Sequence, residues 1–187
     1  MLTTWDWLRA SRKEIALRRV ALDLNKEEDR RTVKAVWRRA AGFVPGQPNQ
    51  GLLAEIEGSP ARLADYDDSG WEECDNIGEG RSTGFTFAWW RITVELPEAI
   101  EGSPVAGATV LFETNIDDYG EVWVDGEIDR VNGTIAGWNR QQRVVVSPSA
   151  APGARHLIAC LAANGPLAKP IGGVFMRYAT LAFEMRG

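Results

Sequence analysis

Histidine is nearly absent from this 187-residue chain, with His156 its only imidazole. Catalytic triads built on histidine, HExxH zinc sites and two-histidine metal centres all need that group, and most need more than one. His156 stands in a strand-like apolar run, residues 155–161, and reads as a satisfied or half-exposed strand residue. Cysteine is scarce too. Cys74 and Cys160 are far apart and neither belongs to a CxxC pair. They read as two buried thiols of a reducing compartment, with a single disulfide as the alternative. No apolar run is long enough to span a bilayer. The opening MLTTWDWLRASRKE has no apolar core of a secretory leader. The expectation is a cytoplasmic protein without membrane attachment.

What is present is a soluble composition, 44% hydrophobic and 25% charged, at a length suited to one domain with an appendage. Charge is unevenly divided. Residues 1–42 hold 11 Lys+Arg against 6 Asp+Glu, a net of +5, which leaves 10 against 20, a net of −10, for residues 43–187. An acidic main part repels phosphate and argues against a nucleic-acid partner. The basic segment would more simply rest on that acidic surface, or on a second subunit, than on RNA or membrane.

Residues 1–42 read as a helical arm. Trp5, Leu8, Ile15 and Leu22 recur near heptad spacing, and Asn25 with Glu28 forms a plausible capping box. The helix that follows is expected from Lys26 to Ala41, with Val33, Val36, Trp37 and Ala40 on one face and Gly42 as its C-terminal cap. Residues 43–60 read as a linker, rich in Pro and Gly at its start. Residues 55–79 carry nine Asp or Glu and one Arg, an acidic loop in which Asp65, Asp67, Asp68, Glu72, Glu73 and Asp75 invite calcium without EF-hand spacing.

After Gly84 the period changes to two. Phe85, Phe87 and Trp89 alternate, then Trp90, Ile92, Val94 and Leu96 on the other parity, which implies a β-bulge or a strand buried on both faces. Further strands are expected at 108–113, 120–124, 127–131, 142–146, 155–162 and 175–183. Val124-Asp125-Gly126-Glu127 is a two-residue hairpin signal. Short strands with turns about every ten residues imply a β-sandwich over residues 61–187.

Several motifs carry a family resemblance. Gly70-Trp71, the run Phe87 to Pro97 (FAWWRITVELP), Thr109 to Glu113 (TVLFE), Asp117 to Gly126 (DDYGEVWVDG), Pro152 to Ala159 (PGARHLIA) and Gly172-Gly173-Val174 occur in the order found in the sugar-binding domain of family 2 glycoside hydrolases. The chain resembles that domain over roughly residues 65–185. The resemblance implies a mainly β, galactose-binding-domain-like jelly-roll sandwich. It also implies a domain without the acid and nucleophile, which those hydrolases keep in a separate barrel. Asp125 stands where that family usually has asparagine. Trp90, Val122, Val124 and Leu157 read as core, and Trp123 reads as a core residue more plainly than Trp138 does. Calcium near the domain edge is common in this fold class, and Glu184 is the position singled out for it.

Saccharide recognition needs an aromatic face and groups that read hydroxyls. Trp138, Asn139 and Arg140 offer these in one expected loop with Asn132; Asp117, Asp118 and Tyr119 lie on the approach to the hairpin strand, and Asn164 on a third loop. Asn132-Gly133-Thr134 is also a glycosylation sequon. The leading reading is a non-catalytic module that binds a saccharide or polyol. One alternative is a structural or regulatory subunit that binds a partner protein, or a second copy of itself, through the jelly roll and residues 1–42. The other is a small jelly-roll enzyme using carboxylates or calcium.

Overall fold

A computed structural model describes residues 17–42, 59–78, 86–117, 119–136, 140–164 and 174–186. Its first strand, β1 (Leu17–Asp23), contradicts the helical reading of this segment. Val20, Leu22 and Leu24 are buried at a spacing of two, which is the period of a strand with one face in a core. A single short helix, α1 (Glu27–Thr32), follows. It stops there because Lys34 turns left-handed at φ +49°, while Ala35 N donates to Arg30 O and Lys34 N to Arg31 O, closing the last turn. Asn25 does not cap it: the N-cap is Lys26, without a side-chain cap, and Asn25 Oδ1 accepts from Ile77 N. Next comes β2 (Trp37–Ala41). Burial of Val33, Ala35 and Trp37, with Val36 exposed, is again a two-residue period. Gly42 has the expected positive φ, but at the end of a strand.

Residues 59–78 form a largely irregular segment with a 3-10 turn at Pro60–Arg62 and the short β3 (Glu72–Glu73). The remaining strands are β4 (Thr86–Glu95), β5 (Ala99–Ile100), β6 (Ser103–Pro104), β7 (Thr109–Asp117), β8 (Tyr119–Val124), β9 (Thr134–Ala136), β10 (Gln141–Ser147), β11 (Arg155–Asn164) and β12 (Phe175–Arg186). They assemble into a four-stranded sheet, β1-β12-β7-β10, and a six-stranded sheet, β3-β2-β4-β11-β8-β9; β5 and β6 make a separate hairpin. All pairings are antiparallel, and one apolar core, with Trp37, Trp90, Phe112 and Phe183 at its centre, fills the space between the sheets. The fold is the mainly β sandwich the sequence implied. Segment 17–41 contributes to both sheets. Its Arg18, Arg19, Arg30, Lys34 and Arg38 pair with Glu101, Glu113, Asp75, Glu95 and Glu73. The basic stretch thus rests on acidic groups of the same domain.

Three local expectations are settled by register. β4 pairs with β11 without interruption from Thr86 opposite Asn164 to Glu95 opposite Arg155, so the change of parity at Trp89 and Trp90 marks a strand buried on both faces. Asp125 and Gly126 form the tight turn, at φ +51° and +87°, with Val124 and Glu127 exchanging both backbone hydrogen bonds. No strand follows over 127–131. Asp129 there accepts from the backbone N–H of Val131 and Asn132, and the chain returns to β8 only at β9.

Gly120 lies on the inner face of β8. An added methyl group would sit 2.6 Å from Ile116 Cβ and 2.9 Å from Gln142 Oε1. Gly120→Ala is expected to destabilise by about 1–3 kcal/mol through overpacking, read as a lower urea midpoint. A midpoint equal to that of the unaltered protein would show that β7 moves aside freely.

Candidate functional site

Strand register gathers several of the residues singled out from the sequence at one end of the sandwich. Thr86 is opposite Asn164, Ala163 opposite Tyr119, Tyr119 opposite Ala136, Phe175 opposite Asp117, and Asn115 opposite Gln141. Asp117, Tyr119, Asn164 and Arg140, next to Gln141, therefore share that end. Trp138, Asn139 and Asp118 lie outside the described residues, and Asp117 is placed by its backbone alone. Arg140 is exposed. Asn164 is only 3% exposed, an interior position rather than a surface one. Asn132 stands away from this end, beside the middle of β8, where its Nδ2 donates to Asp129 Oδ2 at 2.7 Å. That hydrogen bond, with those from the backbone of Val131 and Asn132, holds the Asp129 carboxyl below its ordinary value.

Tyr119 leads to a constellation that the sequence motifs did not single out. Side chains of β8 alternate: Gly120 and Val122 are buried, whereas Tyr119, Glu121 and Trp123 are half-buried on the outer face. Glu121 holds both aromatic neighbours. Tyr119 Oη donates to its Oε1 at 2.7 Å, and Trp123 Nε1 donates to its Oε2 at 2.9 Å. The guanidinium groups of Arg62 and Arg130 lie 5.4 and 5.5 Å from the centroid of the Trp123 ring, within cation–π range. Beneath this shelf Trp89, Leu161, Ala159 and Ala61 form a second apolar cluster, with Trp71, Phe87 and Trp123 packed against it. Trp123 reads from the sequence as a core residue; the structure places it on this outer face. The signal that could have found it is the alternation Tyr-Gly-Glu-Val-Trp-Val itself, with small and aliphatic residues on the opposite parity.

Arg62 reaches the shelf because segment 59–71 is fastened to the outer face of β4 by Arg91. That side chain is 2% exposed. Its Nε donates to Asp68 Oδ2 at 2.7 Å, Nη1 to Ala61 O and to Leu63 O, and Nη2 to Tyr66 O. Its guanidinium also lies 5.4 Å from the Tyr66 ring and 5.9 Å from the Trp71 ring. Carboxylates of the acidic stretch are engaged in the same way. Asp68 and Glu73 meet Arg38, Asp75 meets Arg30, and Asp67 accepts from Ser69 N, which holds the Asp67 carboxyl below its ordinary value.

Glu184, the position singled out for calcium, accepts from Arg143 Nη2 at 2.5 Å. With Glu113 and Arg19 it makes an alternating ion-pair row across the outer face of the four-stranded sheet. Among the described residues no group of three or more His, Cys, Asp or Glu side chains is placed to hold a metal ion. His156 Nδ1 lies 2.7 Å from Asp125 Oδ2, and Asp125 Oδ1 accepts from Leu157 N. The aspartate at the turn therefore ties the hairpin to β11. Cys160 is fully buried, which pushes its thiol pKa up, and Cys74 is half-buried, its Sγ donating to Asn76 O at 3.2 Å. Among the described residues no helix is long and apolar enough to cross a membrane.

No protein-family model and no curated protein matches this chain. Solved structures do. A calcium-binding mutant of Bacteroides uniformis beta-glucuronidase 2 superposes with a TM-score of 0.57 at 14% identity, over 89% of this chain and 18% of that one. A glycosyl hydrolase family 2 member from Bacteroides cellulosilyticus gives 0.55 at 14% identity, over 89% and 21%. A putative beta-galactosidase from Bacteroides fragilis gives 0.52 at 18% identity, over 88% and 23%. The chain spans about a fifth of the length of these structures. The likeness is one of fold, and it is the fold implied by the motifs between Gly70 and Val174.

Proposed function

We propose that this domain is a non-catalytic carbohydrate-binding module that recognises a saccharide or polyol across the Tyr119–Glu121–Trp123 shelf. The observation that carries the reading is Glu121, which orients two half-buried aromatic rings on the outer face of β8 beside Arg62 and Arg130. An aromatic ring offers a surface for the C–H faces of a sugar. Each Glu121 oxygen accepts one hydrogen bond from its neighbour and keeps capacity for a hydroxyl donor, while the arginines supply donors to hydroxyl oxygens. The shelf rests on a packed apolar cluster, so little ordering remains to be done on binding. The fold likeness to proteins described as a beta-glucuronidase and a putative beta-galactosidase agrees with a sugar-linked role. Arg140, exposed at the end of the sandwich, would add a further donor.

A thermal-shift screen against mono- and oligosaccharides, with and without calcium, tests this. A ligand of the folded state raises the melting temperature as its concentration rises. Trp123→Ala is expected to weaken binding by about tenfold or more, through loss of the ring contact and of the donor that orients Glu121. Trp123→Phe should fall between the two. Unchanged affinity in Trp123→Ala would sink the assignment of the shelf. A panel without any shift would instead favour a structural or regulatory subunit that meets a protein partner.

A further inference from the structure

Among the described residues, Arg39 and Trp90 carry a pair of buried donors without an acceptor. Arg39 follows Trp37 by two residues on β2 and so shares its core-facing side; it pairs across the sheet with Trp90 of β4. Its guanidinium carbon lies 5.2 Å from the centroid of the Trp90 ring. Trp90 is completely buried, and its Nε1–H has no acceptor; the Nε–H of Arg39 is buried and has none either. Arg39 as a whole is half-buried, so part of its side chain meets solvent while its Nε does not. Opposite Arg39 on β3 stands Glu72, exposed and not paired with it. Every other arginine of the segment, Arg18, Arg19, Arg30, Arg31 and Arg38, has a carboxylate partner.

A buried N–H without an acceptor, and a guanidinium edge without a counter-charge, are both costly arrangements in a sandwich core. With the guanidinium 5.2 Å from the Trp90 ring, the pair brings two unanswered donors and one positive charge into the same neighbourhood. We propose that Arg39 and Trp90 form a binding site for a small carboxylate, either a simple organic acid or the carboxyl group of a sugar acid. Arginine matches a planar carboxylate with parallel N–H donors, and the indole N–H supplies a further one. A singly charged ligand also suits a domain whose surroundings are acidic better than a doubly charged phosphate does. This site lies on β2 and β4 and does not depend on the saccharide reading of the β8 shelf.

The test is a titration of 15N-labelled protein followed at the Trp90 indole resonance, assigned by triple-resonance spectra, with acetate, glucuronate, glucose and inorganic phosphate as probes. Acetate or glucuronate is expected to move the signal saturably, and less so as salt is raised. Glucuronate alone would assign the site to sugar acids; both acids would assign it to carboxylates at large. Glucose should leave the signal in place. Arg39→Gln should weaken the response on the order of tenfold or more, because the charge-assisted pair is lost. Arg39→Lys keeps the charge but not the planar fork, and should also bind more weakly. Trp123→Ala should not alter this titration, which separates the two sites. An indole signal indifferent to both acids, a response to phosphate only, or an Arg39→Gln protein that titrates like the unaltered one would each overturn the proposal.

Discussion

Arg91→Leu is expected to lower the unfolding free energy by about 3–5 kcal/mol, as when one member of a buried ion pair is removed. Leucine fills part of the volume but answers none of the groups that Arg91 satisfies: the Asp68 carboxylate and the carbonyl oxygens of Ala61, Leu63 and Tyr66. Asp68 keeps Arg38 as a neighbour at 3.7 Å, so the larger loss comes from the carbonyls. Arg91→Lys retains the charge but cannot span acceptors on both edges of a fork, and should lose much of the same stability. Two measurements separate the routes. Urea unfolding reports the global loss, and limited proteolysis within residues 59–71 reports detachment of that segment from β4. Because Arg62 is carried by that segment, Arg91→Leu should also weaken any ligand held at Trp123. A loss below about 1 kcal/mol, the range of an exposed ion pair, would mean that Arg91 is not a clamp.

Trp37→Ala is expected to cost a similar amount, about 3–5 kcal/mol, as is usual for truncating a core aromatic. Trp37 is fully buried, its ring lies 6.4 Å from that of Phe112 in the opposite sheet, and its Nε1 donates to Leu24 O at 3.0 Å. The substitution removes the contact between sheets and leaves the Leu24 carbonyl with Arg30 Nη1, at 3.2 Å, as its remaining side-chain donor. Trp37→Phe keeps a ring and loses chiefly one hydrogen bond to a carbonyl that Arg30 still answers, about 0.5–1.5 kcal/mol. The experiment also discriminates between two architectures. On a separable helical arm, Trp37→Ala would leave the main unfolding transition where it was. As a strand residue of the six-stranded sheet, it should move the single cooperative transition. Domains of this kind carry about 5–15 kcal/mol in total, so the alanine variant should be close to unfolded at elevated temperature.

The reading of residues 17–41 shows where a linear pattern misleads. Leu22 fits a heptad with Trp5, Leu8 and Ile15, and Val33, Val36, Trp37 and Ala40 fit a helical face. The same stretch also carries Val20, Leu22 and Leu24, then Val33, Ala35 and Trp37, at the period of two that the sheets use. Both periodicities are present in the letters. Pairing of β1 with β12, and of β2 with β4, decides between them, and those partners lie far along the chain. By contrast, the Asp125-Gly126 turn was legible because its chemistry is local. Two adjacent residues that tolerate positive φ are sufficient to specify it.

The candidate site divides along the same line. Tyr119 was legible as part of a motif, and the convergence of Asp117, Tyr119, Asn164 and Arg140 follows from strand order. Trp123 was not legible as a surface residue, because tryptophan in a β-strand is a core residue by default and only the sidedness of β8 reverses that. Arg62 and Arg91 were illegible for a different reason: one lies in an irregular acidic segment and the other in an apolar run, and nothing local signals that they meet the same cluster.

What the sequence determined by itself was therefore the class of fold, the hairpin turn, and the scarcity of groups for histidine chemistry. Each rests on composition or on contacts between near neighbours. What only the tertiary structure decided was the strand character of residues 17–23 and 37–41, the outward face of Glu121 and Trp123, and the unanswered donors of Arg39 and Trp90. Those depend on which strands lie side by side, and pairing between distant segments is set by burying one shared core rather than by any local preference of the chain.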